Sequence, residues 1–280
     1  MKNFSGKVAA ITGAASGMGR QLAIRLAERG CHVAISDVNA AELEITAERA
    51  RAYGVRVTTR SLDVSDRAAM QSWADDTAAE HGKVNLIFNN AGVALSSTME
   101  GVRYDDFEWI MAINFWGVVY GTKAFMPYLK AAGEGHVINT SSVFGLCSQP
   151  GMGGYNASKF AVRGFTESLR QELDLQRCGV SATSVHPGGI KTNIARAGRV
   201  DRNIEGLLVK DSTKGAAQFE KLFITTADSA ALTILKAVQR DARRVLVGPD
   251  AHLIDWMVRC FPSFYQAIVA FLTKRFMRKV

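Results

Sequence analysis

Short apolar runs alternate with longer amphipathic stretches along most of the chain, and this alternation restricts the fold more than any other sequence feature. The strand-forming runs are Val8–Thr12, His32–Ser36, Val55–Ser61, Val84–Asn89, His136–Thr140, Ser181–His186 and Arg244–Val247. The helix-forming stretches are Gly17–Arg29, Ala40–Tyr53, Asp66–His81, Tyr104–Lys130, Tyr155–Gln176 and Asp228–Arg240. A strand–helix–strand repeat of this kind predicts a parallel sheet with right-handed crossovers.

The strands themselves indicate that both faces of the sheet are covered. Ile87 and Phe88 are adjacent apolar residues, which is typical of strands that have helices on both sides. The sequence therefore predicts an α/β fold, a Rossmann-like doubly wound parallel sheet of about seven strands, with its ligand at the carboxyl ends of the strands. We expect residues 1–250 to form a single domain, and residues 251–280 to form a helical tail that extends it.

The composition excludes several classes of protein. Apolar residues make up 48% and charged residues 21% of the 280 positions, which is ordinary for a globular protein. The formal charge of +8 arises mostly from Lys236 onward, where the sequence has nine bases and three acids, so no basic stripe for nucleic acid runs through the body. The four cysteines are scattered, and the five histidines lack metal-ligand spacing, so we expect reduced thiols and no metal site. The first residues contain no signal-peptide core, so we expect a cytoplasmic protein.

A glycine-rich turn follows the first predicted strand and precedes the first predicted helix. Its sequence is Thr12-Gly13-Ala14-Ala15-Ser16-Gly17-Met18-Gly19. Glycines let the backbone approach a pyrophosphate, and the helix start offers free N–H groups and a favourable dipole. Asp37, at the end of the second strand, can accept hydrogen bonds from ribose hydroxyls and would repel a 2′-phosphate. Alone, the glycines could merely form a tight turn, and Asp37 could cap the next helix; together they favour a dinucleotide site.

Tyr155 and Lys159 are four residues apart and therefore share one face of a helix. A free phenol has a pKa near 10, too high for a base at neutral pH, and a nearby cation favours the phenolate. The pair is a plausible general acid/base. A tyrosine and a lysine at this spacing are more often surface residues, so the interpretation depends on the residues that accompany them.

Those residues make the chain resemble the short-chain dehydrogenase/reductase family, in its single-domain form, over about residues 5–250. The matching motifs, in chain order, are Thr12-Gly13-x-x-x-Gly17-x-Gly19, Asn89-Asn90-Ala91-Gly92, Asn114, Ser142, Tyr155-x-x-x-Lys159, and Pro187-Gly188 followed by Thr192. The resemblance implies an NAD(P)-dependent oxidoreductase that moves hydride between nicotinamide and an alcohol or ketone. It also implies a homodimer or homotetramer built through the long fourth and fifth helices.

The resemblance assigns four catalytic residues. Tyr155 would exchange a proton with the substrate oxygen, and Ser142 would donate a hydrogen bond to the same oxygen. Lys159 would lower the pKa of the tyrosine and bind the nicotinamide ribose. Asn114 would hold a water that connects Lys159 to solvent. By themselves, Ser142 could be a strand-end cap and Asn114 a helix kink.

The resemblance also implies a cofactor site. Its expected residues are Gly13, Ser16, Gly17, Met18, Gly19, Asp37, Asp63, Val64, Asn90, Ala91, Gly92, Tyr155, Lys159, Pro187, Gly188, Ile190 and Thr192. Asp63 and Val64 would flank the adenine, and Ile190 and Thr192 would meet the carboxamide. Ser16 and Asp37 favour NAD, because relatives that prefer NADP often carry a base at the first position or lack the acid at the second.

The favoured substrate is a small to medium hydrophobic alcohol or ketone. The expected apolar pocket consists of Phe144, Leu146, Cys147 and Ile194, the last within a weakly periodic segment, Gly188–Thr226, that we interpret as a lid. One alternative is a nucleotide-binding regulatory or scaffold protein that has lost catalysis, although the intact set of four catalytic residues argues against it. Another is an NAD-dependent isomerase or dehydratase.

The tail after Asp250 has apolar residues at helical spacing and ends in the bases Lys274, Arg275, Arg278 and Lys279. Three interpretations are open. It packs over the substrate cleft or a neighbouring subunit, which we favour; it makes peripheral contact with a membrane surface; or it belongs to the core.

Overall fold

The computed structural model describes residues 1–194, 198–206, 208 and 223–277. The strands are β1 Val8–Thr12, β2 His32–Asp37, β3 Val57–Ser61, β4 Leu86–Asn89, β5 Leu95–Ser96, β6 Gly135–Thr140, β7 Val180–Pro187, β8 Ile190–Lys191, β9 Arg199–Val200, β10 Thr225–Thr226 and β11 Arg244–Val247. The helices are α1 Gly17–Ala27, α2 Ala40–Arg51, α3 Arg67–His81, α4 Tyr104–Met111, α5 Gly117–Ala131, α6 Gly153–Gln176, α7 Ala227–Gln239, α8 Pro249–Cys260 and α9 Tyr265–Met277.

Seven of the strands form one sheet in the order β11-β7-β6-β4-β1-β2-β3. Every neighbouring pair is parallel, and Ile11 of β1 lies between Ile35 of β2 and Phe88 of β4. The strand order reverses between β1 and β4, which places the topological switch point there. The predicted doubly wound parallel sheet of seven strands is confirmed.

Alternate residues of the strands belong to two separate hydrophobic cores, one on each face of the sheet. Ala9 and Ile11 belong to a core that α1, α2 and α7 cover, with Leu22 and Ile234 among its buried side chains. Ala10 faces the opposite side, where α3, α5 and α6 close over residues such as Phe125. Because the side chains of a strand alternate between the two faces, strands buried on both sides need apolar residues at successive positions.

Side-chain caps fix where several helices begin. The Asn39 side chain accepts from the amide of Glu42 at the start of α2, and Asp66 accepts from Ala68 and Ala69 at the start of α3. A cap of this kind contributes about 1 kcal/mol. The start of α1 differs, because the side chain of Ser16 makes no capping hydrogen bond. The first N–H groups of α1 are therefore left for another acceptor.

The structure departs from the sequence-based expectation in three places. The predicted continuous helix over Tyr104–Lys130 is interrupted by a π-helical turn, Ala112–Trp116, between α4 and α5. Four two-residue strands, which form the pairs β5–β9 and β8–β10, are too short to leave a periodic signal. The tail forms two helices instead of one, separated by a segment that contains Pro262, which cannot donate a backbone hydrogen bond. Among the described residues, no helix is long and apolar enough to cross a membrane.

Candidate active site

All of the predicted site residues that follow strands lie at one edge of the sheet, because the strands are parallel. The glycine turn follows β1, Asp37 ends β2, Asn90 follows β4, Ser142 follows β6 and Gly188 follows β7. This edge, at the reversal between β1 and β4, is where open α/β sheets bind their ligands.

The glycine turn is held against the end of β4. The Thr12 hydroxyl accepts from the amides of Asn90 and Ala91, both at 3.0 Å, and the Asn90 side chain donates to the Thr12 carbonyl at 3.1 Å. Gly13 has a φ of +67°, and a Cβ there would lie 2.7 Å from the Ala91 Cα. Glycine is thus required at this position both for its conformation and for the close approach.

The same turn offers a cradle for a phosphate. Gly17 and Met18 begin α1, whose first amides receive no cap from Ser16. Gly19 packs against the Gly13 carbonyl so closely that a Cβ would overlap it. An uncapped helix start beside a side-chain-free surface fits the pyrophosphate of a dinucleotide.

Asp37 is tied directly to this turn. One carboxylate oxygen accepts from the Ala15 amide at 3.0 Å, and the other accepts from the Asn39 amide at 3.0 Å. Each oxygen keeps further acceptor capacity for a ribose hydroxyl. Arg20, the base next to the turn, donates to the Ala15 carbonyl within the turn, and its guanidinium also contacts Glu42 at 2.6 Å and Thr46 at 2.9 Å.

The residues expected at the adenine differ in exposure. Asp63 is exposed, and its carboxylate accepts from the amide and hydroxyl of Ser65 at 2.9 and 2.7 Å. Val64 is buried and packs against Gly117, where a Cβ would lie 2.8 Å from a Val64 methyl group.

Asn114 lies in the π-helical turn and is fully buried. Its amide oxygen accepts from Val93 N at 2.8 Å, while its amide nitrogen donates to Val93 O at 3.0 Å and to the Ser158 hydroxyl at 3.1 Å. The side chain therefore joins the loop after β4 to α6. Single π turns inside α-helices occur frequently at functional sites. Gly92 lies next to both Asn114 and Lys159. A Cβ added to Gly92 would be 3.1 Å from Asn114 Oδ1 and 3.4 Å from Lys159 Nζ.

Ser142, Tyr155 and Lys159 converge inside the protein. Ser142 starts a short 3₁₀ turn, and its hydroxyl accepts from the Phe144 amide at 3.1 Å. Tyr155 is 8% exposed and Lys159 is 2% exposed. The Lys159 ammonium lies 5.7 Å from the centre of the Tyr155 ring and donates to the Thr140 carbonyl at 3.0 Å.

Burial dominates the acid–base properties of this group. It lowers the pKa of Lys159 to about 8, because the charged ammonium loses its hydration. It raises the pKa of the Tyr155 phenol, and a hydrogen bond with Ser142 offsets part of that rise. The expectation that Lys159 lowers the pKa of the phenol stays a prediction. The ammonium lies over the ring and is bound to Thr140, and Ser142 supplies the effect that favours the phenolate.

The segment after β7 returns to the glycine turn. Pro187 ends β7, the Gly188 amide donates to Val247 O at 2.9 Å, and β8 begins with the buried Ile190. The Thr192 methyl group would lie 3.0 Å from a Cβ on Gly17. The structure thus brings the expected nicotinamide segment beside the start of α1.

Two residues at the site were missed by sequence reasoning. His186 is fully buried; one ring nitrogen lies 3.0 Å from the Ser142 carbonyl oxygen and the other 3.0 Å from the Ser184 hydroxyl. The Asp250 carboxylate accepts from the Gly189 amide at 2.6 Å. Their only sequence signals were a histidine at a strand end and an acid at the start of a helix.

Apolar side chains form one wall of the site. The Phe144 ring lies edge-on to the Tyr155 ring with 6.2 Å between centroids, and Tyr155 also packs in a cluster with Leu95 and Ile110. Leu146 and Cys147, the other expected pocket residues after Ser142, are buried in the turn that follows it.

The predicted lid is described in part. Ile194 is half-buried, and residues 195–197, 207 and 209–222 of the lid lie outside the described residues. The described portion includes β9, which pairs with β5, and Asn203, whose side chain donates to Ser97 Oγ at 2.9 Å and accepts from Thr98 N at 3.0 Å. These contacts anchor part of the segment to the loop after β4.

Comparisons with known proteins agree with this geometry. The sequence model of the short chain dehydrogenase family matches residues 7–203. SadH of Mycobacterium tuberculosis, named as an oxidoreductase, is 45% identical over 271 residues, or 96% of each chain. A short chain dehydrogenase/reductase from Burkholderia phymatum, solved in complex with NAD, is 32% identical, covers 95% of this chain and 97% of its own, and has a TM-score of 0.86.

The fold is also shared with a protein solved with the other type of dinucleotide. An alcohol dehydrogenase from Thermococcus sibiricus, complexed with 5-hydroxy-NADP, is 24% identical, covers 86% of this chain and 95% of its own, and has a TM-score of 0.71. The structural neighbours therefore include complexes with NAD and with an NADP derivative.

Proposed function

The chain belongs to the short-chain dehydrogenase family, and from this premise we propose that it is an NAD(H)-dependent oxidoreductase acting on a hydrophobic alcohol or ketone. The observation that carries the proposal is the convergence of buried Ser142, Tyr155 and Lys159 at the switch point, beside the uncapped start of α1. The bound nicotinamide supplies hydride transfer to or from the carbinol carbon. The protein supplies orientation, exclusion of water and the proton.

We assign the proton to Tyr155. In alcohol oxidation, the phenolate oxygen takes the hydroxyl proton while the carbon loses hydride; in ketone reduction, the phenol returns the proton to the oxygen. Ser142 donates a hydrogen bond to the same oxygen and limits the charge that develops there. Its hydrogen bond with Tyr155 supports this arrangement.

We propose that Lys159 and Asn114 position the cofactor ribose and the loop that contacts it. The ammonium lies near Gly92, and Asn114 holds the adjacent residue, Val93, by both its amide and its carbonyl. A buried ammonium held by a carbonyl is a well-placed donor for ribose hydroxyls. The expected water beside Asn114 stays a prediction.

We propose NAD as the preferred cofactor. Asp37 faces the glycine turn through its contact with the Ala15 amide, where a 2′-phosphate would meet a carboxylate. Arg20 cannot compensate without giving up its contacts with Glu42 and Thr46. The remaining expected cofactor residues follow β1, β3, β4, β6 and β7 at the same edge of the sheet.

We further propose a homodimer or homotetramer that forms through α5 and α6. Phe160 is exposed on α6, and Trp116 is exposed in the π-helical turn that leads into α5. Phe115 of the same turn packs edge-on against Phe165 of α6 with 6.3 Å between centroids. Such an aromatic face is suited to contact with a second subunit. The four cysteines are free thiols, which fits the cytoplasm as the proposed compartment.

The direct test of the proposed function is a panel of primary and secondary alcohols, ketones and aldehydes of increasing chain length, assayed with NAD(H) and NADP(H) by nicotinamide absorbance. We expect turnover of apolar members, with kcat/KM rising with chain length. An absence of turnover across the panel, with NADH binding intact, would contradict the proposal and favour a binding protein without catalysis.

A further inference from the structure

The C-terminal helices α8 and α9 attach to the body by one face. Ala251 and Tyr265 are the only fully buried residues among the described residues of the tail. The Tyr265 hydroxyl accepts from the Ser148 amide at 3.3 Å, close in sequence to Ser142, and Asp255 pairs with Arg244 of β11 at 3.1 Å. This inner face agrees with the expected packing of the tail near the cleft, and the interpretation of the tail as core is wrong.

The outer face of the tail is apolar and uncovered. Leu253, Phe264 and Phe271 are 65%, 64% and 61% exposed, and Trp256 and Leu272 are also more than half exposed. Leu253 and Trp256 are three residues apart and share a face of α8, while Phe264 directly precedes α9, which carries Phe271. The rings continue across the junction, because Phe261 lies 6.5 Å from both Trp256 and Phe264 between centroids.

The charged side chains of the tail that follow Asp255 are all basic. From Trp256 to the C terminus the sequence contains five bases and no acid. Arg259 is paired with Asp255 at 2.8 Å. Lys274 and Arg275 are exposed and follow Phe271 by three and four residues, which places them beside its ring, one turn along the helix. Aromatic and leucine side chains bordered by lysine and arginine are typical of helices that lie in a lipid interface.

We propose that the outer face of α8 and α9, formed by Leu253, Trp256, Phe264, Phe271, Lys274 and Arg275, docks on an anionic lipid surface. The rings would enter the boundary between headgroups and acyl chains, while the two bases stay at the headgroup level on their apolar stems. Anionic headgroups supply the negative charge that the segment lacks.

A second copy of the chain fits this face less well. Two such faces would bring their bases together without any Asp or Glu side chain from residues 256–280 to pair with them. Like charges at an interface oppose association. A bilayer carries both the apolar boundary and the complementary charge, so the observed combination favours lipid. The proposal does not depend on the catalytic assignment.

The test is co-sedimentation of the full chain with vesicles of phosphatidylcholine alone and of equal parts phosphatidylcholine and phosphatidylglycerol. We expect binding to the anionic vesicles only, weakened by salt. The double variant Lys274→Gln with Arg275→Gln should lower the partition coefficient about thirtyfold, because each base near such a surface contributes about 1 kcal/mol. Phe264→Ser with Phe271→Ser should abolish binding.

The matched control is Arg67→Gln with Lys83→Gln, which removes two exposed bases near the ends of α3 and should leave binding unchanged. All variants should keep the wild-type unfolding transition and NADH affinity; if the phenylalanine variant does not fold, the lysine–arginine variant carries the test. Equal binding to both vesicle types, or none to either, would overturn the proposal. Light scattering would also overturn the proposal if it showed that the wild type is an oligomer and the phenylalanine variant a monomer. The outer face would then be covered by a second copy of the chain and not by lipid.

Discussion

The ammonium nitrogen of Lys159 lies 3.0 Å from the Thr140 carbonyl oxygen and 5.7 Å from the centre of the Tyr155 ring. The lysine thus joins the end of β6 to the helix that carries the proposed acid/base. Its charge is held by a backbone dipole inside the protein, where burial lowers its pKa to about 8. Burial raises the pKa of the Tyr155 phenol, and the hydrogen bond with Ser142 acts in the opposite direction.

The Asp37→Ala variant tests the cofactor preference. In the wild type we expect kcat/KM for NAD(H) to exceed that for NADP(H) by at least tenfold, since placing a 2′-phosphate against the carboxylate costs more than about 1.4 kcal/mol. The variant should lose most of this preference, mainly through a better KM for NADP(H). Steady-state kinetics with both cofactors measure it.

Glu48→Ala is the matched control, because it removes the same charge from the exposed side of α2. It should keep the wild-type ratio. Equal kcat/KM values for the two cofactors in the wild type would contradict the assignment of Asp37.

The Gly13→Ala variant tests the close approach at the turn. Its Cβ would lie 2.7 Å from the Ala91 Cα, in a left-handed conformation, so we expect at least a tenfold loss of NADH affinity and a lower unfolding free energy. Gly133→Ala is the control, with a φ of +70° and no atom within 4 Å of the added Cβ. It should cost only the left-handed penalty of about 1–2 kcal/mol. NADH fluorescence titration and urea unfolding compare the two, and similar affinities would refute the role of the turn.

The Asn114→Ala variant tests the link between the loop after β4 and α6. It leaves the amide and carbonyl of the half-buried Val93 without their partner, and each unpaired group costs up to about 1–3 kcal/mol. We expect an unfolding free energy lower by several kcal/mol and kcat reduced more than tenfold. Ser158→Ala removes only one partner of Asn114 and should have a clearly smaller effect on both. If Ser158→Ala lost as much unfolding free energy and kcat as Asn114→Ala, the contacts of Asn114 with Val93 would not be what links the loop to α6.

Two buried histidines predict a loss of stability in acid. Burial lowers the pKa values of His136 and His186 to about 4, whereas an unfolded histidine titrates near 6.5. Between pH 4 and about pH 6.5 the unfolded chain binds more protons than the folded protein. The contribution of each histidine to the unfolding free energy is therefore fully present above about pH 6.5 and is lost as the pH falls toward about 4. Each histidine should contribute a loss on the order of 2 kcal/mol at about pH 5.

Urea unfolding at a series of pH values measures this dependence. The slope of the unfolding free energy against pH reports the number of protons taken up on unfolding. In His136→Gln this number should be lower by about one between about pH 6.5 and pH 5, whatever the stability of the variant at neutral pH. His252→Gln, at an exposed position, should leave the slope unchanged. An unaltered slope in His136→Gln would show that this ring is not kept neutral by burial.

The main sheet and most of the candidate site followed from the sequence because their signals are local. Strand periodicity, the glycine turn and the tyrosine–lysine spacing each lie within a few residues. The two missed residues depend on distant contacts: His186 reaches Ser142, and Asp250 reaches Gly189. The pKa shifts of Tyr155 and Lys159 also depend on the fold, since residue spacing does not reveal how deeply a side chain is buried.

The most direct test of the account is the turnover of Tyr155→Phe with the best substrate from the panel, beside the exposed-tyrosine control Tyr104→Phe. Loss of the phenolic oxygen should lower kcat at least about a hundredfold, the usual scale of general acid/base catalysis, while NADH affinity and the unfolding transition stay at wild-type values. Tyr104→Phe should keep full activity. Near-wild-type kcat in a folded, NADH-binding Tyr155→Phe variant would contradict the central claim that Tyr155 carries the proton.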